Sequence, residues 1–139
     1  MEIKVKKIRP DAIIPEYAHP DDAGMDLRSM EDYTLKPSER KVFGIGLEFE
    51  IPKGYVCLIW DRSGMAGKGI KTMGGVIDCH YRGEYKVILL NTALENYEVK
   101  KGDKIAQLLI QPVETAEIFE VEELSETARG EGGFGSTGR

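Results

Sequence analysis

Between Gly74 and Glu84 the chain runs GGVIDCHYRGE, placing a carboxylate, an imidazole, a phenol and a guanidinium close behind an apolar pair. An aspartate beside a hydrophobic segment is costly unless it is paired or employed, so Asp78 is the first candidate for chemistry. Aspartates are carboxylates at neutral pH and can accept a proton from a water held against a substrate. The doubled glycine ahead of it removes side chains where a ligand or another backbone approaches. The same stretch also reads as a polar turn between two strands.

Four other stretches carry residues of complementary chemistry. In DDAGMDLRS, Asp26 lies between apolar neighbours at the start of a strand, either as a site acid or as a buried turn cap. In DRSGMAGKG, Arg62, Ser63 and Gly64 combine a guanidinium fork, a hydroxyl and the amides of a helix start, which would cradle an anion or form a solvated loop. Gln107, in GDKIAQLLI, interrupts a core strand and by period two shares a face with Ile105 and Leu109. Its amide needs a partner, which can be purely structural. The C-terminal stretch RGEGGFGSTGR formally matches GxGxxG, but no strand precedes it and it lacks the GK[ST] of a P-loop. What remains is an aromatic, hydroxyls, permissive backbone and arginines, suited either to folding over a base and a polyphosphate or to a disordered tail.

Something must hold these stretches in place. The apolar runs are short and bounded by Pro, Gly or Asp. Strands are expected at 3–8, 33–35, 41–46, 47–51, 55–60, 86–91, 97–99, 105–112 and 116–121, a spacing that suggests a sandwich or barrel. Only 63–68 can form a helical turn, with Ser63 as its cap. At 139 residues one domain suffices. A net charge of −5 argues against a broad nucleic-acid surface while leaving room for a compact anionic ligand. Cys57 and Cys79 have no zinc or disulfide spacing, which suggests a reducing compartment. The N-terminus lacks a signal or membrane-span pattern, so a cytoplasmic protein with no membrane partner is expected. From Arg129 onward five of eleven residues are glycine, too few apolar groups for a core.

In this order and at these spacings the five stretches resemble the homotrimeric dUTP diphosphatase (dUTPase) family. AGMDL is similar to its first motif, RSGMAGKG its second, GGVIDCHYRGE its third, GDKIAQL its fourth and RGEGGFGSTG its fifth, together spanning residues 23–138. The resemblance implies an all-β fold, a distorted jelly-roll β-sandwich with one short helix, assembled as a trimer whose sites are shared between subunits. Residues 1–124 would form the core and 125–139 a Gly-rich arm closing over the site. It implies hydrolysis of dUTP to dUMP and pyrophosphate by Mg²⁺-assisted attack of water on the α-phosphate. Asp78 would direct the water. The hairpin backbone at Gly75, Val76 and Ile77 would read uracil, Tyr81 would pack on the deoxyribose, and Lys86 would join them on the substrate. Arg62, Ser63, Gly64 and Gln107 would hold the phosphates, with Arg129, Gly135, Ser136 and Thr137 closing from the arm and Phe134 stacking over the base. Asp26 would meet the ion through water, in keeping with the reluctance of Mg²⁺ to dehydrate.

Three departures stand out. Asp61 precedes Arg62 where many members have proline, the span from Arg62 to Asp78 is short, and His80 occupies a position that commonly carries a second acid. His80 is a bystander at the hairpin tip, a subunit contact, or an added proton acceptor. Two other functions compete. A dCTP deaminase, a relative in fold, would need a catalytic glutamate in the strand after the third motif, where this chain has KVILL without an acid. A noncatalytic, nucleotide-responsive interaction protein on the same fold is opposed by Asp78 and the complete fifth motif.

Overall fold

The computed structural model describes residues 1–133. Among these the regular secondary structure is strand apart from one short helix, in the order β1 (Lys4–Lys7), β2 (Met25–Arg28), β3 (Tyr33–Leu35), β4 (Arg40–Gly44), β5 (Leu47–Glu50), β6 (Tyr55–Trp60), α1 (Ser63–Ala66), β7 (Ile70–Met73), β8 (Val76–Asp78), β9 (Lys86–Asn91), β10 (Tyr97–Val99) and β11 (Lys104–Pro112). All pairings are antiparallel. A four-stranded sheet runs β2-β11-β6-β8 and a three-stranded sheet β4-β9-β7, with β1-β5 and β10-β3 as flanking ribbons. This is the expected distorted jelly-roll β-sandwich with one short helix.

Alternation along the strands builds the interior. In β9 the pattern sends Val87, Leu89 and Asn91 inward, and in β5 Leu47 and Phe49. The apolar ones join Leu27, Leu35, Phe43, Cys57, Ile59, Tyr85 and Leu108 in one cluster. Burying each such side chain stabilises by about 1.5–3 kcal/mol relative to exposure. Asn91 is fully buried but satisfied: its amide donates to the Leu35 and Glu95 carbonyls and accepts from the Ala93 amide.

Four sequence expectations change. Strand β7 is present although Ile70–Met73 offered no strand reading. Ser63 is not the helix cap; Arg62 takes that position with extended backbone and no side-chain capping bond. Gln107 does not share a face with Ile105, because a bulge between Lys104 and Ala106 resets the alternation. The extra residue turns Ile105, Ala106 and Leu108 inward and leaves Gln107 half-buried on the opposite face. Finally, 116–121 forms no strand: the last ladder ends at Pro112, and the following segment exposes Ile118 (91%), Phe119 (72%) and Leu124 (87%). Its β-prone pattern finds no partner strand among the described residues.

Candidate active site

The register of the four-stranded sheet gathers the first, second and fourth stretches. Gln107 on β11 pairs with Asp26 on β2 and with Trp60 on β6. Arg62 and Ser63 follow immediately where β6 ends. Asp26, Arg62, Ser63, Gly64, Lys104 and Gln107 thus line one cavity of about 470 Å³. The Asp26 carboxylate sits between two cations, with Oδ1 3.1 Å from Arg62 Nε and Oδ2 2.5 Å from Lys104 Nζ. Arg62 also donates from a terminal nitrogen to the Lys104 carbonyl at 3.1 Å. The guanidinium is therefore held at two points, which pre-organises its remaining N–H groups for an anion. Gln107 Nε2 donates to the Asp61 carbonyl at 2.8 Å, and the second hydrogen of that amide is available to a ligand. Gly64 has open space where a Cβ would sit, so its backbone can be approached closely.

The third stretch builds a second cavity of about 240 Å³, lined by Val76, Ile77, Asp78, Tyr81, Glu84, Tyr85 and Lys86. Strand β8 is the outer strand of its sheet, so one row of its backbone N–H and C=O groups has no ladder partner and faces outward. Gly75 is required by the approach of another strand. Its φ is +104°, its carbonyl accepts the Ile59 amide at 2.8 Å, and a Cβ there would meet the Ile59 carbonyl at 2.8 Å. Beyond β8 the chain turns through a bond from the Tyr81 amide to the Asp78 carbonyl at 3.1 Å. Asp78 and His80 are exposed at this tip. Tyr81 donates its hydroxyl to the Glu84 carbonyl at 3.3 Å, and its ring lies 6.0 Å from that of Tyr85. Glu84 ties the hairpin to the β4–β5 turn by accepting the Gly46 amide at 2.9 Å. The buried Tyr85 hydroxyl has no hydrogen-bond partner among the described residues. Burial first, then the neighbouring Cys57, raises the phenol well above its ordinary range. Tyr85 thus serves as an uncharged floor under the cavity.

The two cavities share no lining residue. Within one chain the phosphate-type donors are brought together and the hairpin residues are brought together, but the two groups are not joined. Arg129 lines neither cavity; its guanidinium returns to the Gly132 carbonyl at 2.7 Å. The expectations for Phe134, Gly135, Ser136 and Thr137 lie outside the described residues. Lys104 and Glu84 are contributors the sequence reading missed. Lys104 stands beside the turn Gly102-Asp103 and read as turn chemistry, and the Glu84–Gly46 contact spans too much chain for any local pattern to reveal. Among the described residues no group of three or more His, Cys, Asp or Glu could cage a metal, and no helix is long and apolar enough to cross a membrane.

Comparison with known proteins gives one consistent result. The dUTPase family model matches residues 10–138. The deoxyuridine 5'-triphosphate nucleotidohydrolase of Nautilia profundicola is 54% identical, covering 100% of both chains, and that of Clostridium kluyveri is 48% identical, covering 99% of both. Among solved structures, a Staphylococcus bacteriophage 80alpha dUTPase variant with dUpNHpp superposes with a TM-score of 0.94 at 33% identity, covering 99% of both chains. A phage phi11 dUTPase variant, described with a structural Mg(II) ion, gives 0.85 at 30% identity, covering 91% of this chain and 100% of that one. With matches over the full length, and with residues of the first four stretches gathered in the two cavities described, the chain belongs to the dUTPase family.

Proposed function

We propose that this protein hydrolyses dUTP to dUMP and pyrophosphate. The observation that carries the reading is the pairing of a polar cavity, in which Arg62, Lys104 and Gln107 converge around Asp26, with an edge hairpin presenting unpaired backbone next to Asp78. Deoxyuridine 5'-triphosphate nucleotidohydrolases at about half identity over the whole length support the same substrate.

The steps follow from the side chains. Outward-facing N–H and C=O groups of β8 pair with the uracil edge, and a base with the wrong pattern leaves buried groups unpaired at about 1–3 kcal/mol each. Tyr81, held by its bond to Glu84, packs on the sugar and excludes a 2′-hydroxyl. Lys86 lies on the rim of the same cavity. Arg62, the Ser63 hydroxyl, the Gly64 backbone and Gln107 hold the phosphate chain. The Asp78 carboxylate accepts a proton from water as the water oxygen bonds to the α-phosphorus. The bond from that phosphorus to the bridging oxygen breaks, and pyrophosphate leaves. Asp78 then returns its proton to solvent.

Magnesium fits this donor set in one way only. Both Asp26 oxygens already face cations, so Asp26 suits a water-mediated contact to an ion carried by the phosphates. When bound, Mg²⁺ would neutralise charge on the triphosphate and align its α-phosphate.

A trimer completes the site. The separation of the two cavities within one chain, and an apolar segment around Ile118 and Phe119 with nothing of its own to cover it, support sites built where subunits meet. Residues 1–124 would then supply the body of each subunit and 125–139 the arm, with Arg129, Phe134, Gly135, Ser136 and Thr137 closing over the nucleotide. Product analysis on dUTP, dCTP, dTTP and UTP tests the assignment. Selective dUMP and pyrophosphate from dUTP are expected. Ammonia from dCTP would show a deaminase instead, and nucleotide binding without turnover an interaction protein.

A further inference from the structure

The residue before Arg62 is tied down at both its side chain and its main chain. The Asp61 carboxylate accepts the Thr72 amide (2.5 Å) and the Thr72 hydroxyl (2.7 Å) on Oδ1, and pairs with Lys71 Nζ (2.5 Å) on Oδ2. Its carbonyl accepts Gln107 Nε2 at 2.8 Å. Lys71 and Thr72 belong to β7, in the three-stranded sheet, whereas Asp61 closes β6 and Gln107 lies on β11, in the four-stranded sheet. One residue therefore staples the two sheets together beside the cavity that Arg62 and Lys104 line. Thr72 is buried, so the staple anchors to the body of the fold and not to a mobile surface group.

We infer that Asp61 is a positioning residue for the phosphate grip, fixing the backbone entry to Arg62 and the orientation of the Gln107 amide. This rests on the activity proposed above. A carboxylate so close to a phosphate site would repel the ligand if it were free. Here its oxygens are turned away onto β7 and occupied by three donors, leaving the cavity mouth to Arg62. Without those bonds the link between β6 and α1 could swing by the width of a side chain, and the acid could reach toward the phosphates. Asparagine keeps an acceptor for Thr72 while losing the ion pair to Lys71; alanine loses all three side-chain bonds and keeps only the main-chain bond from Gln107. The two substitutions therefore separate anchoring from charge.

The test uses the full chain with Asp61→Ala, Asp61→Asn and Thr72→Val, comparing dUTP kinetics, affinities for dUMP and for dUpNHpp, and thermal stability. Misplacement of the phosphate donors by about 1 Å is expected to cost Asp61→Ala about 10²-fold in kcat/KM. Affinity for dUpNHpp should fall with it, while that for dUMP, which carries no β- or γ-phosphate, stays within about twofold, a change under 0.5 kcal/mol. Asp61→Asn should recover most of the loss, and Thr72→Val should lie between. An Asp61→Ala protein with unchanged kcat/KM and unchanged dUpNHpp affinity would overturn the inference. So would equal weakening of dUMP and dUpNHpp alongside a lower melting temperature, since that is the mark of a purely structural role. If Asp61→Ala does not fold, Asp61→Asn and Thr72→Val decide by the same split between dUMP and dUpNHpp. The binding comparison needs no turnover. A wild-type protein that binds dUpNHpp but forms no dUMP would therefore contradict the proposed activity, while the variants still decide the role of Asp61.

Discussion

Three aspartates sit in three different surroundings, and each is suited to different work. Asp78 is exposed at the end of β8, free to face a substrate; Asp26 is held between Arg62 and Lys104; Asp61 is locked to β7. Asp78→Asn should retain dUpNHpp binding and lose at least about 10²-fold in kcat, the scale of general-base catalysis. Near wild-type turnover would instead move attention to His80. For Asp61, burial raises the carboxyl, but the bonds from Lys71 and from the Thr72 amide and hydroxyl outweigh it and hold the group below its ordinary value. A depressed carboxyl contributes stability that is fully present above the unfolded value of about 3.9 and is lost as pH falls through the folded one. The melting temperature of Asp61→Asn should accordingly lie below wild type at pH 7, and the difference should shrink as the pH is taken below about 4. A gap that persists into strong acid would show that charge is not its source.

At the scale of elements, the hairpin depends on how closely β8 runs along β6. Gly75→Ala places a methyl against the Ile59 carbonyl in a backbone region that side chains rarely adopt. A loss of about 1–3 kcal/mol is expected from the strained conformation alone, measured by denaturant unfolding, together with weaker dUMP binding. Gly54→Ala also has positive φ but open space around it, and should cost less and leave binding unchanged. This is also the scale at which sequence legibility divides. The strands Tyr33–Leu35, Tyr55–Trp60, Lys86–Asn91 and Tyr97–Val99 were readable because apolar runs end at turn residues. The face occupied by Gln107 was not, because a bulge is a feature of pairing, not of either strand alone. Strand β7 was hidden behind a Gly-rich approach, and its role as anchor for Asp61 is a long-range contact. The doubled glycine was legible as a place of close approach, but only the structure says that the approaching group at Gly75 is β6.

At the scale of the whole molecule, one chain holds the parts of a site in two separate places. The motifs identify which residues matter without saying that the hairpin of a chain and its own phosphate cavity lie apart. That follows from the sheet order, which places β8 at an edge and β2, β11 and the end of β6 around Arg62. In the proposed trimer the segment after Pro112, whose apolar side chains are exposed, would be the link between subunits. Ending the chain after Pro112 should yield a smaller assembly by sedimentation, whereas ending it after Leu124 should keep both assembly and melting temperature but abolish most turnover. Full activity in the longer truncation would reject the arm as a lid. Attack of water on the α-phosphorus of dUTP can be followed by turnover in ¹⁸O-water with both products weighed by mass spectrometry. The label is expected in dUMP with pyrophosphate unlabelled; label in pyrophosphate, or no dUMP at all, would rule out that attack.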